Sequence, residues 1–109
     1  RLRMNRDMRN STDDTSQRML NALEIGTVLP IHRHPTTSET QLLLRGKIDV
    51  MFYDDQRREI ERFHLDPRNG MYGVDIPAGT WHNLVVIEPA VIFEAKDGAY
   101  KPISPEDVL

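Results

Sequence analysis

Apolar and polar positions alternate with period two along much of the chain, as in half-buried β-strands. The clearest stretch is Lys47 to Tyr53. There Ile48, Val50 and Phe52 fall on one face, and Lys47, Asp49, Met51 and Tyr53 on the other. Asp54-Asp55-Gln56-Arg57 reads as a turn, and Arg58 to Leu65 pairs back. The phase slips in that return. Ile60 and Phe63 cannot share a face of a regular strand, so a bulge or a twist is expected. Upstream, Val28 to His34 and Glu39 to Arg45 read as a hairpin around the loop Pro35-Thr36-Thr37-Ser38, with Gly46 as a tight connection to the next strand. Gln17 to Ile25 tolerates helix as well as strand, and the break at Gly26 favours strand.

Downstream, Asp66-Pro67-Arg68-Asn69-Gly70 is a loop and Met71 to Ile76 a short strand. Pro77-Ala78-Gly79 turns the chain into a strand from Trp81 to Ile87. Glu88-Pro89 is expected to break it before a last strand, Ala90 to Lys96. Asp97 to Pro102 then leaves the sheet. Ser104-Pro105-Glu106-Asp107 has the cap, first-turn proline and acids of a helical turn. Residues 1–16 are polar and mixed in charge, a loop with room for one short strand. Many short strands and no helical period give an all-β barrel or sandwich, and barrel closure removes exposed edges.

At 109 residues the chain suits a single domain. The expected division is a polar segment over 1–16, a barrel over 17–97 and a tail over 98–109. Fourteen basic and 17 acidic residues give a net charge of −3, which is no footprint for nucleic acid. No apolar run approaches a membrane span. No secretory pattern opens the chain, and its start without methionine reads as a fragment or remnant of something longer. The absence of cysteine excludes disulfides and points to a reducing, cytoplasmic setting.

The candidate chemistry lies between Gly26 and Gly46, where His32, His34 and Glu39 fall close together, with His82 behind the later turn. Residues i and i+2 of a strand share a face, so His32 and His34 project together, roughly 6–7 Å apart at the backbone. A lone strand histidine is more often a surface or satisfied core residue than a ligand. Here the pair comes with a carboxylate five residues on and a distant histidine, which supports one mononuclear metal site. Imidazole and carboxylate suit divalent iron, manganese, nickel, zinc or copper. The lack of thiolate argues against the usual structural zinc. The competing reading is a barrel of the same shape with an empty or degenerate site. Around the site, Asn21 has either a cavity-facing or a backbone-bonding role, and Tyr100 and Lys101 either line the mouth or pack and solvate. Arg1, Arg3 or Arg6 could fold over the mouth toward an anion, although a solvated segment is the expectation. His64 is read as a surface residue. Trp81, facing away from His82, should pack against another layer or a partner subunit.

These residues also carry a resemblance. Gly26, His32-x-His34, Glu39 and Gly46 fit the first cupin motif position by position, and Pro77-x-Gly79-x-x-His82 fits the core of the second. More closely, Q-R-M-L-N-A-L-E at 17–24, H-R-H-P at 32–35, L-L-L-R-G at 42–46, Y-G-V-D-I-P-A-G-T-W-H at 72–82 and F-E-A-K-D-G-A-Y at 93–100 resemble the WbuC-family cupin-fold metalloproteins over almost the whole chain. Two positions depart from the second motif: Met71 stands where it opens with Gly, and Val86 where it closes with Asn. The resemblance implies a cupin-type double-stranded β-helix, or jelly roll, with His32, His34, Glu39 and His82 around one divalent ion (iron, manganese, zinc or nickel). It also implies a small-molecule ligand in the barrel mouth, a setting among surface-polysaccharide genes and the dimers common among cupins.

Three functional readings follow. The first is a metalloenzyme acting on a sugar or nucleotide-sugar by isomerisation, epimerisation or oxygen chemistry. The second is a non-catalytic, metal-dependent module that binds a carbohydrate or carboxylate. The third is a structural barrel with adventitious metal. A proton-transfer group in the cavity would favour the first over the second. No acid–base pair can be picked out in the sequence.

Overall fold

The computed structural model describes residues 2–109. Six strands form one antiparallel sheet: β1 (Arg3–Asp7), β2 (Ser16–Leu23), β3 (Glu39–Tyr53), β4 (Glu59–Leu65), β5 (Gly73–Ile76) and β6 (Trp81–Asp97). Their order is β1-β2-β6-β3-β4, with β5 also on β3. Two short 3-10 turns, Pro67–Asn69 and Pro105–Asp107, are the only helical segments among the described residues. No helix is long and apolar enough to cross a membrane.

The two long strands organise everything else. The first part of β3, residues 39–45, pairs with residues 91–96 of β6, and the second part, residues 47–53, pairs with residues 81–88. The ladder slips between these parts, around Leu43 to Ile48. Gly46 sits at that slip with φ +90°, and a Cβ there would lie 2.1 Å from the Pro89 carbonyl oxygen. Sequence reading places a strand junction at Gly46 and a strand break at Glu88-Pro89. Both strands instead run through. The glycine lets the two backbones cross closely, and the proline, which cannot donate to a ladder, occupies the irregular stretch.

The sheet therefore folds over on itself about this crossing. Ile48, Val50, Leu65, Leu84 and Val86 from one half meet Leu23, Leu43, Ile76, Ala90 and Ile92 from the other in one core. This is the all-β, jelly-roll architecture of cupins. Alternation is strict where β3 begins: Glu39, Gln41 and Leu43 are 4%, 3% and 2% exposed, whereas Leu42 and Leu44 are 41% and 57% exposed. The bulge in β4 is present. Phe52 faces Glu61 and Tyr53 faces Glu59, so Ile60 is the extra residue and turns outward while Phe63 packs on the core.

Three expectations need correction. Val28 to His34 is not a strand and forms no hairpin with Glu39 to Arg45. Only His32 makes ladder-type bridges, because Pro30 and Pro35 bracket the segment and neither can donate. The strand after the Asp66 loop begins at Gly73, not Met71. Ser104 precedes the last 3-10 turn, but its side chain makes no capping bond. Near the N-terminus, Arg3 to Asp7 pairs along β2.

The crossing generates a prediction. Gly46→Ala should cost about 3 kcal/mol or more in urea unfolding, because left-handed strain adds to a backbone clash. Gly70→Ala, also at positive φ but with nothing within 4 Å, should cost only about 1 kcal/mol.

Candidate metal centre

The site is assembled by backbone pairing. The amide of His32 donates to the His82 carbonyl at 3.1 Å, and the amide of His82 returns to the His32 carbonyl at 2.9 Å. On the other side, Arg33 N donates to Asp107 O and Leu109 N to Ile31 O. The strip 31–33 is thus held between β6 and the C-terminal residues. His34 is tied down separately: Gly79, at φ +79° in the turn before β6, donates its amide to the His34 carbonyl at 2.8 Å.

The residues between the histidines lock the rear. Arg33, which points away from its two neighbours, lies 4.3 Å above the Trp81 ring and pairs with Asp107 at 2.8 Å. Trp81 is buried and donates its indole N–H to Asp55. It faces away from His82 as the alternation requires, and packs against Arg33.

In front, the ring centroids of His32, His34 and His82 are 4.3–5.9 Å apart. One nitrogen from each falls within 4.8 Å of the others, so the three can hold one metal ion. Two of the rings have their tautomer set. His32 Nδ1 lies 3.0 Å from the Pro30 carbonyl and His82 Nδ1 lies 2.9 Å from the Thr80 carbonyl. Carbonyls only accept, so in the neutral rings Nδ1 carries the hydrogen and Nε2 the free lone pair. His82 Nε2 is fully buried and has no hydrogen-bond partner. A buried acceptor left without a donor is costly because it has lost its water, but a free lone pair is what a ligand nitrogen requires. Burial also pushes the His82 imidazole down to about 4, with the charge of His32 adding to the effect and Glu39 opposing it. Burial lowers His32 as well.

Glu39 opens β3 beside this cluster. Its Oε1 lies 3.4 Å from His34 Nε2 and 3.5 Å from Lys96 Nζ, and its Oε2 accepts from the Gln41 amide. Burial alone would raise this carboxyl, but His34, Lys96, His82 and Gln41 outweigh it and hold it below the usual carboxylate range. It is an anion, placed next to the three histidines but not within their tight group.

A cleft of about 400 Å³ opens over the cluster. The mouth-lining role is the one that Tyr100 and Lys101 take. Arg3 also lines the cleft, because β1 brings it there, while all five residues of β1 are exposed, as expected of a solvated segment. Arg6 is not part of that lining, and Arg1 lies outside the described residues. His64 is largely exposed and pairs with Asp49. Asn21 is buried at 1% exposure, and its side chain is directed at the Glu94 carboxyl.

Three residues in the cleft escaped sequence reasoning: Gln41, Glu94 and Lys96. Register explains them, since Glu39 faces Lys96 and Gln41 faces Glu94 across the ladder. Counting by twos from Glu39 would have found Gln41. Glu94 and Lys96 required knowledge of which strand lies alongside. Burial raises the Glu94 carboxyl to about 7, the Glu39 charge raises it further, and Lys96 and Arg3 oppose.

The fold is of cupin type, and it brings three histidines together. Capsular polysaccharide assembling protein CapF from Staphylococcus aureus superposes with a TM-score of 0.74 at 22% identity, over 96% of this chain and 30% of CapF. A protein from Bacillus halodurans gives 0.74 at 20% identity, over 95% of this chain and 75% of the other. A cupin 2 domain-containing protein from Halorhodospira halophila gives 0.71 at 16% identity, over 94% and 68%. This chain thus spans about three tenths of the CapF length. No curated protein matches it in sequence. By sequence the chain belongs to the family described as Domain of unknown function (DUF6016), whose profile matches residues 1–65. That match includes His32, His34 and Glu39 and ends before His82.

The depressed His82 has a consequence for metal-free protein. Unfolded chains take up the histidine proton near pH 6.5, whereas the folded protein resists it until about pH 4. The stability from keeping His82 neutral is therefore full above pH 6.5 and is lost as pH falls toward 4. Chelator-treated protein should lose on the order of 2 kcal/mol between pH 7 and pH 5 in urea titrations from this group. His82→Gln should flatten that slope.

Proposed function

We propose that this protein is a metal-dependent cupin enzyme acting on a small hydroxylated molecule, with its ion held by His32, His34, His82 and Glu39. The carrying observation is the buried, unpartnered Nε2 of His82, which converges with the other two imidazoles. The donor set of three nitrogens and one carboxylate suits a divalent iron, manganese, zinc or nickel ion. Such an ion, when bound, supplies Lewis acidity and, for iron, the capacity to activate oxygen.

The chain's own residues do the rest. Gln41 and Lys96 fix the Glu39 carboxylate from two sides. The Arg33–Trp81 stack holds the His32–His34 strip against the strand that carries His82. Glu94, across the ladder from Gln41 and lining the same cleft, is a carboxyl placed to give or take a proton at a bound substrate. Its position favours an enzyme over a passive binder, because a half-buried carboxyl lining the cleft is a proton-transfer group within reach of a bound molecule.

A role in surface-polysaccharide metabolism, akin to WbuC-family proteins, is the setting we infer. It rests on the motifs at 17–24, 32–35, 42–46, 72–82 and 93–100 and on the structural likeness to CapF, a capsular polysaccharide assembling protein.

Elemental analysis of protein purified without chelator tests the metal assignment. We expect near-stoichiometric divalent metal in the wild type and less than a tenth of it in His32→Ala and in His82→Ala. A metal-free wild type, or variants that keep the ion, would remove this reading. The enzyme reading is checked by incubating loaded protein with sugars and sugar acids in D₂O. Wild type should introduce deuterium into a substrate carbon position visible by NMR, and Glu94→Gln should slow this by about 10²–10⁴-fold while retaining the metal.

A further inference from the structure

Gln41 has more to offer than its bond to Glu39. Its amide nitrogen is committed to that carboxylate, which leaves Oε1 as a buried acceptor without a partner in a residue only 3% exposed. The residue lines the cleft. An acceptor fixed in this way takes a hydrogen from a hydroxyl and gains nothing from a bare anion.

The rim has the opposite character. Arg3, Lys96 and Lys101 bring three positive charges to the cleft. Of the three carboxylates lining it, Asp107 is neutralised from behind by Arg33, and Glu94 is pushed toward its neutral form by burial. Only Glu39 remains a settled anion, and Lys96 sits against it. The chain as a whole carries −3, whereas in the cleft three cations balance three carboxylates, so the cleft is less negative than the protein around it. Tyr100 adds a ring at the mouth, with the Arg9 guanidinium 5.5 Å from its centre.

We infer that the cleft takes a small polyhydroxylated anion of monosaccharide size, with one hydroxyl donating to Gln41 Oε1 and its carboxylate or phosphate turned toward Lys101 at the rim. The volume of about 400 Å³ is at the lower end for small-molecule pockets, which suits one sugar ring or an open-chain sugar acid. This names the ligand class for the site proposed above. The hydroxyl acceptor and the rim cations are present whether or not an ion is bound.

Isothermal titration with D-galacturonate, glucose 6-phosphate and neutral D-galactose tests it, on metal-loaded and on chelator-treated protein. At least one of the two anions should bind ten times or more tightly than galactose, and which one does so distinguishes carboxylate from phosphate. Raised salt and Lys101→Glu should each cut that preference at least threefold. Gln41→Leu should weaken the preferred anion about tenfold. Equal binding of galactose and the anions, no binding of any of the three, or a preference unmoved by Lys101→Glu would overturn the inference. Lys101 is exposed, so its substitution keeps the test valid even if Gln41→Leu does not fold. Absence of metal from the wild type would defeat the metal reading alone, because the preference is still read in chelator-treated protein.

Discussion

The pair of hydrogen bonds between the backbones of His32 and His82 is the constraint on which the site rests. It joins two segments fifty residues apart in sequence and fixes two imidazoles side by side, with ring centres 4.3 Å apart. Everything else near the centre adjusts to it. The Gly79 amide brings His34 into range, Glu39 enters from the start of β3, and the C-terminal residues close the free side of the 31–33 strip. Two potential ligands that share a ladder bridge cannot drift apart without breaking backbone hydrogen bonds. The site is therefore preorganised by the fold, not gathered by an ion.

That fold depends in turn on two very long strands that cross tightly at Gly46 and Pro89. Each contributes to both halves of the sheet, so the core and the cleft are built from the same backbone. In its inner half, β6 carries Leu84 and Val86 into the core. Beyond the crossing it carries Glu94 and Lys96 into the cleft. Val86, where the cupin motif has Asn, is buried in that core. Gly73 lies where a side chain would collide with the Gln41 carbonyl, so close packing of β5 on β3 is served by this glycine although Met71 stands at the motif position.

Much of this was legible in the sequence, and the reasons are local. Period-two alternation located β3, and the slip at Ile60 located the bulge, because both follow from which face a side chain takes. Strand ends were harder. Pro89 reads as a breaker, and only the presence of Gly46 opposite shows why it does not break β6. The segment 28–34 reads as one arm of a hairpin, but Pro30 and Pro35 deny it a ladder and leave only the two bridges at His32. The three histidines and Glu39 were visible as a spacing. Gln41, Glu94 and Lys96 were not, since their meeting depends on register between β3 and β6, which no local pattern encodes.

The rear of the site has a practical side. The chain has one tryptophan, Trp81, next in sequence to His82 and stacked beneath the residue that separates His32 from His34. Its intrinsic fluorescence therefore arises at the back wall of the candidate centre and nowhere else. A paramagnetic ion seated among the histidines would sit close enough to quench it, and loosening of the Arg33 stack would change its surroundings directly. The protein thus carries an optical reporter of its own site, with no label to attach and no second indole to subtract.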